Sequence, residues 1–250
     1  MKDYQALVVS NKAIAHNVYE ITFDLGETPN VRAGQFGDIL IGGNHLLRRP
    51  IAICKTENTL VTFCYQIKGE GTQKLKTIGA GMRLSVLLPL GNGFYIEENE
   101  QKIALVGGGV GVFPLISVLR AYPDKQISAY IGYRNKDAVC GVEDFAKADK
   151  FIAVTDDGSY GEKMNSVQAF LRDVEKGYRP DVVLACGPTP MLKALKSAVE
   201  EKSIPCYVSL EERMGCGIGA CLVCVCDLTS GKKARVCKDG PVFNVTDVCF

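Results

Sequence analysis

The chain has 250 residues, with 29 Lys and Arg against 28 Asp and Glu, a formal charge of +1. This near-neutral balance gives no support for a nucleic acid or an anionic membrane as a partner. No apolar segment of the secretory type follows Met1, and no apolar run approaches the roughly 20 residues of a membrane span. The eleven cysteines, an odd number, favour free thiols in a reducing cytoplasm over a disulfide framework.

Residues 1–97 contain many short β-branched or alternating runs separated by turn sequences. This pattern, with little helix, predicts a small antiparallel β-barrel. The exception is a short helix over Thr72–Ile78, opened by residues 69–72. The predicted strands are Ala6–Ser10, Val18–Phe23, Gly37–Ile41, Ile51–Lys55, Leu60–Ile67 and Leu84–Leu88.

Two features of this region suit a phosphate group. Arg49 starts a predicted strand, and its forked guanidinium can pair with a pyrophosphate. Gly71 and Thr72 begin the short helix, where backbone N–H groups would face the same phosphates. A structural role is the alternative for Arg49, and we interpret the adjacent Arg48 as a surface charge.

Strands alternate with helices between residues 98 and 208. This rhythm predicts a doubly wound parallel sheet that binds ligands at the carboxyl ends of its strands. The stretch 88–93 is the predicted hinge between the two regions. The last predicted helix has Thr189 as its N-cap and Pro190 at its first position. The predicted strands are Ile103–Val106, Ile127–Ile131, Phe151–Val154, Val182–Cys186 and Tyr207–Leu210, and the predicted helices are Gly111–Ala121, Ser166–Lys176 and Met191–Lys202.

A glycine-rich turn in this region indicates a dinucleotide cleft. Gly107, Gly108, Gly109 and Gly111 follow a strand and open a helix. Backbone can therefore approach a pyrophosphate, and the helix N-terminus adds positive potential. Pro114 occupies the last glycine position of the G-x-G-x-x-G fingerprint, so a merely tight turn remains the alternative.

A second turn at the same sheet edge strengthens this interpretation. Cys186, Gly187, Pro188 and Met191 follow the fourth predicted strand and precede a helix. Cys186 would then lie at the mouth of the cleft, near a nicotinamide ring. The alternative for Cys186 is a small buried hydrophobe at a strand end. The loop 155–161 after the third strand could line the adenosine side.

The final region, residues 209–250, carries the spacing C-x4-C-x2-C-x12-C. Its cysteines are Cys216, Cys221, Cys224 and Cys237, and the first three match the plant-type pattern for a [2Fe-2S] cluster. Zinc knuckles prefer two C-x2-C-like pairs, so iron and sulfide are favoured over zinc or a disulfide knot. Cys226 could compete as a ligand, but a strand-and-turn excursion over 225–236 would return Cys237 to the cluster.

Acid–base chemistry has no evident residues in this sequence. His16 and His45 are the only histidines, and neither belongs to a recognisable catalytic pattern. No Ser/His/Asp arrangement or pair of carboxylates stands out either. We therefore predict no catalytic residue, which suits an electron carrier.

The order of these motifs carries a resemblance over essentially the whole chain. R-P-I-x, G-x-G-T, G-G-G-x-G-x-x-P, C-G-P-x-x-M and the cysteine series follow one another as in the ferredoxin–NADP reductase superfamily. The run 209–221 most resembles the electron-transfer subunits of NAD-dependent, type B dihydroorotate dehydrogenases. The resemblance implies a multidomain β plus α/β fold: an FAD-binding barrel (1–97), an NAD-binding α/β domain (98–208) and a [2Fe-2S] module (209–250).

The resemblance also implies where each cofactor binds. NAD(H), as co-substrate, would bind the two turns described above, and a [2Fe-2S] cluster the four cysteines. Relatives commonly have Ser or Thr at the position of Ala52, so a hydrogen bond to the flavin there must come from backbone. FAD would be held by Arg49, Pro50, Ile51, Ala52, Gln66, Ile67, Lys68, Gly71 and Thr72.

A two-subunit oxidoreductase is the function that the resemblance implies. An FMN-containing catalytic partner, in a heterotetramer with two copies of each chain, would oxidise dihydroorotate to orotate for pyrimidine biosynthesis. Electrons would pass through the cluster and FAD to NAD+, with FAD converting two-electron into one-electron chemistry. This chain alone has no room for the substrate barrel. The cluster would lie near the partner, with Ile218, Leu222 and Val223 contributing to the contact.

Two alternatives remain open at this point. The NAD(P)-binding subunit of a sulfhydrogenase or of a ferredoxin-coupled transhydrogenase shares the same three parts. A non-enzymatic regulatory module holding zinc is the alternative from another class. NADP is also open as the nucleotide, because Arg134 stands where an acidic residue for the ribose is expected and could accommodate a 2′-phosphate.

Overall fold

The first region of the chain is a closed barrel. The computed structural model describes residues 1–44 and 46–250, so His45 lies outside the described residues. In the described part of residues 1–97, six antiparallel strands close in the order β1-β2-β5-β4-β3-β6, which confirms the predicted architecture. These strands are β1 (Lys2–Ala15), β2 (Val18–Asp24), β3 (Phe36–Leu40), β4 (Arg49–Glu57), β5 (Leu60–Gln66) and β6 (Arg83–Leu90).

Alternation of side chains decides which residues fill the barrel. Along β3, Ile39 is fully buried in the barrel core, while Phe36 lies in a different cluster with the C-terminal cysteines. Because strand side chains alternate between faces, Phe36 and Asp38 share the outward face. The short helix α1 (Glu70–Leu75) begins two residues before the predicted Thr72, and its Leu75 closes the core.

The second region is a doubly wound α/β unit, as predicted. Its strands pair in the order β10-β9-β8-β7-β11-β12, and all of these pairs are parallel. Helices α2 and α3 pack on one face of the sheet, and α4 and α5 on the other. The labels denote β7 (Lys102–Gly108), β8 (Gln126–Tyr133), β9 (Lys150–Thr155), β10 (Glu162–Lys163), β11 (Val182–Cys186), β12 (Cys206–Ser209), α2 (Val112–Ala121), α3 (Val142–Phe145), α4 (Ser166–Glu175) and α5 (Thr189–Glu201).

The predicted start of α5 is wrong by one residue. Pro188, not Thr189, is the N-cap, and Thr189 is already helical. The reason is that the Pro188 carbonyl accepts hydrogen bonds from the N–H groups of Met191 (2.9 Å) and Leu192 (3.2 Å), which starts the helical ladder there.

The C-terminal region attaches to the second one through a strand. The strand β15 (Val242–Asn244) pairs antiparallel with β12 and becomes the edge of the sheet. Before it, β13 (Val225–Asp227) and β14 (Lys233–Arg235) form the predicted hairpin. The C-terminal region therefore shares a hydrogen-bonded sheet with the α/β unit through β15.

The regions are held together by packing and specific hydrogen bonds. Helix α2 packs on β4, and the Gly34 N–H donates to Ser117 Oγ at 2.9 Å. In the stretch predicted as a hinge, Asn92 Nδ2 donates to the carbonyls of Asp239 and Val242, both at 3.1 Å. That stretch is thus anchored to the C-terminal region. None of the helices that the structure describes has the length and apolar character needed to span a bilayer.

Arg48 is not a surface charge, so that interpretation is wrong. The segment before β4 folds its side chain back across β1, β3 and β6. Its guanidinium donates to Asp3 Oδ2 (2.7 Å), to Ser85 Oγ (2.7 Å) and to the main-chain carbonyl of Asp38 (3.1 Å). Arg48 therefore fastens three strands together.

Candidate functional site

A cavity of about 270 Å³ lies between the barrel and the α/β unit. Among the predicted flavin residues, all but Ile67 and Gly71 line it. They come from the start of β4, the end of β5 and the start of α1, which the barrel brings to one edge. The lining residues of that set are Arg49, Pro50, Ile51, Ala52, Gln66, Lys68 and Thr72.

Gly71 contributes to this cavity indirectly, by making room for Arg49. A Cβ on Gly71 would collide with Nε, Nη2 and Cζ of Arg49, so only glycine lets the guanidinium cross at this point. The hydroxyl of Thr72 organises the adjoining turn, since it accepts hydrogen bonds from the N–H groups of Lys68 (2.9 Å) and Gly69 (3.2 Å). The segment thus fixes a cation at the cavity edge, which suits a pyrophosphate.

A second cavity, of about 680 Å³, lies at the carboxyl ends of β7 and β11. These neighbouring strands diverge along the chain, one leading to β8 and the other to β12, so the cavity occupies the topological switch point of the sheet. The two predicted turns meet here. Six of their eight predicted site residues line the cavity: Gly108, Gly109, Gly111, Gly187, Pro188 and Met191.

Close packing explains two of the glycines. A Cβ on Gly111 would lie 2.6 Å from the carbonyl oxygen of Cys186, so glycine allows the two turns to touch. Gly107 lies beneath the cavity, where a Cβ would come within 2.9 Å of Leu115 Cδ1. Gly107 therefore packs beneath the cavity, and residues 108–111 form part of its lining.

The two cavities adjoin. Four residues line both: Gln66, Lys68, Val110 and Glu211. Lys68 Nζ lies 3.9 Å from Glu211 Oε2 across this junction. A nicotinamide held in the larger cavity would therefore meet a flavin ring held in the smaller one.

Cys186 lines the smaller cavity and not the larger one. Burial and the nearby Glu211 carboxylate raise the pKa of its thiol to about 12, although a hydrogen bond from Ser209 acts in the opposite direction. The thiol is therefore neutral at physiological pH. Cys186 presents a compact, unreactive wall to the cavity.

Two residues of the larger cavity, His16 and Asn17, were not predicted as site residues. His16 and Asn17, in the turn between β1 and β2, close it from the barrel side, and the His16 N–H donates to the Asp137 carbonyl at 3.3 Å. Arg134, considered above as a contact for a 2′-phosphate, and Asp156, from the loop expected at the adenosine side, also line it. No local pattern signals His16, because Asp137, its contact in the α/β unit, is more than a hundred residues away in the sequence.

The four C-terminal cysteines form two pairs. The N–H of Cys221 donates to the sulfur of Cys216, and the N–H of Cys237 donates to the sulfur of Cys224, both at 3.4 Å. Among residues 1–44 and 46–250, no three Cys, His, Asp or Glu side chains surround one point as a single zinc ion requires. Two pairs of thiols suit the two irons of a [2Fe-2S] cluster, so the donor set fits that group.

Cys216 is poised to be a thiolate. The N–H groups of Ala220 (3.3 Å) and Cys221 (3.4 Å) both point at its sulfur. Burial raises the pKa of Cys216, but hydrogen bonds from Ile218, Cys221 and Ala220 outweigh it and bring the pKa to about 6. Such donors stabilise negative charge on a ligand sulfur and help to set a cluster potential.

Only one layer of side chains separates the cysteines from the smaller cavity. Phe36, Leu210 and Met214 line that cavity and belong to the same packed cluster as Cys224 and Cys237. The cysteine site and the candidate flavin site are therefore direct neighbours, with apolar side chains between them.

The sequence comparisons agree with this arrangement. A family model described as the iron–sulfur cluster binding domain of dihydroorotate dehydrogenase B matches residues 211–249. A relative from Bacillus pumilus, named dihydroorotate dehydrogenase B (NAD(+)), electron transfer subunit, is 43% identical, with 100% of this chain and 99% of the relative covered. A relative of the same name from Caldanaerobacter subterraneus is 38% identical, with 98% of each covered.

Solved structures resemble the whole fold. An NADH-dependent reduced ferredoxin–NADP oxidoreductase, described in the context of flavin-based electron bifurcation, matches with a TM-score of 0.85 and 27% identity over 98% of this chain and 89% of its own. Phthalate dioxygenase reductase matches with a TM-score of 0.68 and 16% identity over 93% of each chain. The second likeness concerns the fold alone.

Proposed function

This chain belongs to the family of dihydroorotate dehydrogenase B electron transfer subunits, and from that membership we propose its full role. It is an oxidoreductase subunit that uses FAD, a [2Fe-2S] cluster and NAD(H). We propose that it serves an FMN-containing catalytic subunit that oxidises dihydroorotate, in a complex with two copies of each chain. We also assign it to the cytoplasm, which the eleven free thiols support.

Each cofactor is assigned to the residues around its cavity. When bound, FAD exchanges hydride with nicotinamide and single electrons with a cluster. Arg49, given room by Gly71, would hold the FAD pyrophosphate, and Ala52 and Gln66 would border its ring. The turns at Gly108–Gly111 and Gly187–Met191 would hold the NAD pyrophosphate, next to Cys186.

The observation that carries this proposal is the shared wall between the two redox sites. Phe36, Leu210 and Met214 contact both the smaller cavity and the cluster of residues around Cys224 and Cys237. Electron transfer needs close cofactors and no movement of atoms between them, and apolar side chains keep water out of this gap. The chain also joins the sites directly, because residues 209–216 run from the end of β12 to the first cysteine.

The partner surface is proposed on the outside of the cysteine loop. Ile218 (44% exposed), Leu222 (61%) and Val223 (55%) are large apolar side chains facing solvent beside three of the four cysteines. Such a patch near a redox centre suits a docking partner, because apolar side chains at the centre of an interface exclude water.

The decisive experiment combines the chain with its catalytic partner. We expect the pair to reduce NAD+ with dihydroorotate, and the chain alone to show only NADH-dependent reduction of an artificial dye. Leu222 has a left-handed backbone (φ 58), a conformation that aspartate adopts more readily than most residues. Leu222→Asp should therefore fold normally, lower the dihydroorotate-dependent rate about tenfold and leave the dye activity unchanged. Val9→Asp on β1, where Val9 is 45% exposed, is the matched control.

Failure of the pair to couple dihydroorotate to NAD+, with both proteins carrying their cofactors, would contradict the proposed partner. The likeness to the ferredoxin–NADP oxidoreductase structure makes ferredoxin the second candidate for the electron partner. Ferredoxin-dependent NAD(P)+ reduction by the chain, without dihydroorotate, would favour that candidate.

A further inference from the structure

Asp38 is a buried carboxylate that neither the fold nor the proposed cofactor sites explain. It lies in β3, its residue is 1% exposed, and its side chain is on the outward face, toward the C-terminal region. Its Oδ1 has no hydrogen-bond partner among the described residues. A buried carboxylate without a partner costs stability, and such groups persist where they have a function.

Neither neighbouring arginine hydrogen-bonds this carboxylate. Arg48 directs its donors to the main-chain carbonyl of Asp38, to Ser85 and to Asp3, not to the Asp38 side chain. Arg49 also hydrogen-bonds elsewhere, to the carbonyls of Leu47 and Arg48. The two arginines therefore act on the Asp38 carboxylate through charge alone, without a hydrogen bond to it.

The carboxylate is held against the cysteine loop. Gly217, which follows Cys216, has φ +69, and a Cβ there would lie 2.5 Å from Asp38 Oδ2 and 3.4 Å from Leu90 Cδ1. Asp38 thus packs behind the loop whose N–H groups point at the Cys216 sulfur. Burial raises the pKa of Asp38 to about 6 against the opposing effects of Arg48 and Arg49, so the group is ionised at pH 8.

We propose that Asp38 is a positioning residue for electron transfer, whose buried negative charge behind the Cys216–Cys221 loop holds the reduction potential of the cluster low. An electron added to the cluster increases its negative charge, and a nearby unscreened carboxylate opposes this. The effect is large only where water does not screen the charge, which is the situation of Asp38. This inference rests on the proposed function, because it assumes a cluster on the four thiols.

The test is a redox titration of the cluster, followed by electron paramagnetic resonance, in the anaerobically purified full chain with its partner at pH 8. Asp38→Asn removes the charge at constant shape, and Asp38→Ser removes it in a smaller side chain. We expect both variants to raise the ratio of reduced to oxidised cluster at a fixed potential about tenfold, a shift of about 59 mV for one electron.

The matched control is Asp227→Asn. Asp227 is an exposed carboxylate of the same C-terminal region, paired with Lys233 at 2.6 Å, and water should screen it. We expect the cluster of the Asp227→Asn variant to keep the wild-type midpoint potential.

Iron and sulfide analysis distinguishes failure of the proposed function from failure of the proposed role of Asp38. Wild-type protein without iron and sulfide would overturn the proposed function. A loaded wild-type protein whose Asp38 variants keep its midpoint potential, or shift it no more than Asp227→Asn does, would overturn the role of Asp38. Unequal shifts for Asn and Ser would assign the effect to shape and also overturn it.

Discussion

The guanidinium of Arg49 lies directly over the Cα of Gly71, where no other residue type leaves it room. The two residues are 22 positions apart, one at the start of β4 and one in α1. Their contact joins the two parts of the barrel that border the smaller cavity. It fixes the one cation that the proposed FAD site places at the pyrophosphate.

Gly71→Ala should therefore weaken FAD binding without unfolding the barrel. The added methyl group meets the flexible end of Arg49, which can move away. The substitution therefore displaces the guanidinium and leaves the backbone in place. We expect FAD affinity to fall about tenfold, as for loss of a charge-assisted contact. Fluorescence titration of the flavin-free protein measures this.

Gly69→Ala is the matched control for that experiment. Gly69 is two residues away, has extended backbone and no atom within 4 Å of an added Cβ. Its FAD affinity should remain at the wild-type value. An unchanged affinity in Gly71→Ala would show that Arg49 does not hold the phosphates.

Cys224→Ser and Cys226→Ser should differ sharply in cluster content. Cys224 is buried and pairs with Cys237, whose N–H donates to its sulfur at 3.4 Å. Cys226 lies on β13 opposite Ala234, and among the described residues no other cysteine donates an N–H to its sulfur. We expect Cys226→Ser to retain about two irons and two sulfides, and Cys224→Ser to lose most of both. Equal losses would contradict the assignment of Cys224 over Cys226.

Asp38 should make stability depend on pH in the direction opposite to an ordinary paired aspartate. Burial raises its pKa from 3.8 to about 6, so the folded chain binds a proton more tightly than the unfolded chain. Stability from this group is present below about pH 4 and is lost as pH rises through 6. We expect Asp38→Asn to raise the free energy of unfolding by roughly 2 kcal/mol at pH 8, with little effect at pH 4.

Asp173→Asn gives the contrasting result in the same measurement. Burial opposes ionisation of Asp173, but hydrogen bonds from Lys150 and from Tyr130 (2.7 Å) prevail and lower its pKa. Its contribution is present above about pH 4 and is lost as pH falls further. We expect a loss of about 1 to 3 kcal/mol at pH 7 in denaturant unfolding. Parallel pH profiles for the two variants would contradict both assignments.

NADH should reduce the bound FAD at least about tenfold faster than NADPH at low nucleotide concentration. Asp137 and Asp156 line the nucleotide cavity, and like charges would repel the additional 2′-phosphate. Asp156→Asn should lower the ratio of the NADH rate to the NADPH rate in stopped-flow measurements. Equal rates in the wild type would instead indicate that Arg134 pairs with the phosphate.

Asp157→Asn is the control for that comparison. Asp157 is the adjacent acid, but its carboxylate accepts hydrogen bonds from the N–H (2.9 Å) and the hydroxyl (2.6 Å) of Ser159. Its substitution should leave the ratio of NADH to NADPH rates unchanged.

Local pattern predicted the fold well because both regions obey simple periodicities. Alternation marks the half-buried barrel strands, and fully apolar runs such as β7 and β11 mark parallel strands buried on both faces. These periodicities did not predict β15. It is only three residues long, and it becomes a strand because the tertiary fold places it beside β12. Thr189 was misplaced by one residue because composition alone does not show which carbonyl starts the ladder.

The candidate site was predictable where a residue's role depends on its own segment. The glycine turns and the cysteine series are of this kind, since their neighbours in sequence are their neighbours in space. Arg48, His16 and Asp38 are not, because their partners lie on strands and loops that are distant in the chain. Their surroundings became apparent only when the barrel, the sheet and the cysteine loop were assembled.

Because β15 belongs to the sheet of the α/β unit, the C-terminal region is not a separable module. Cutting the chain after residue 210 would uncover the backbone of β12, leaving a row of unsatisfied donors and acceptors that invites pairing with another molecule. Such a truncated protein should self-associate. Grafting the C-terminal region onto another reductase would require transplanting a compatible sheet margin with it.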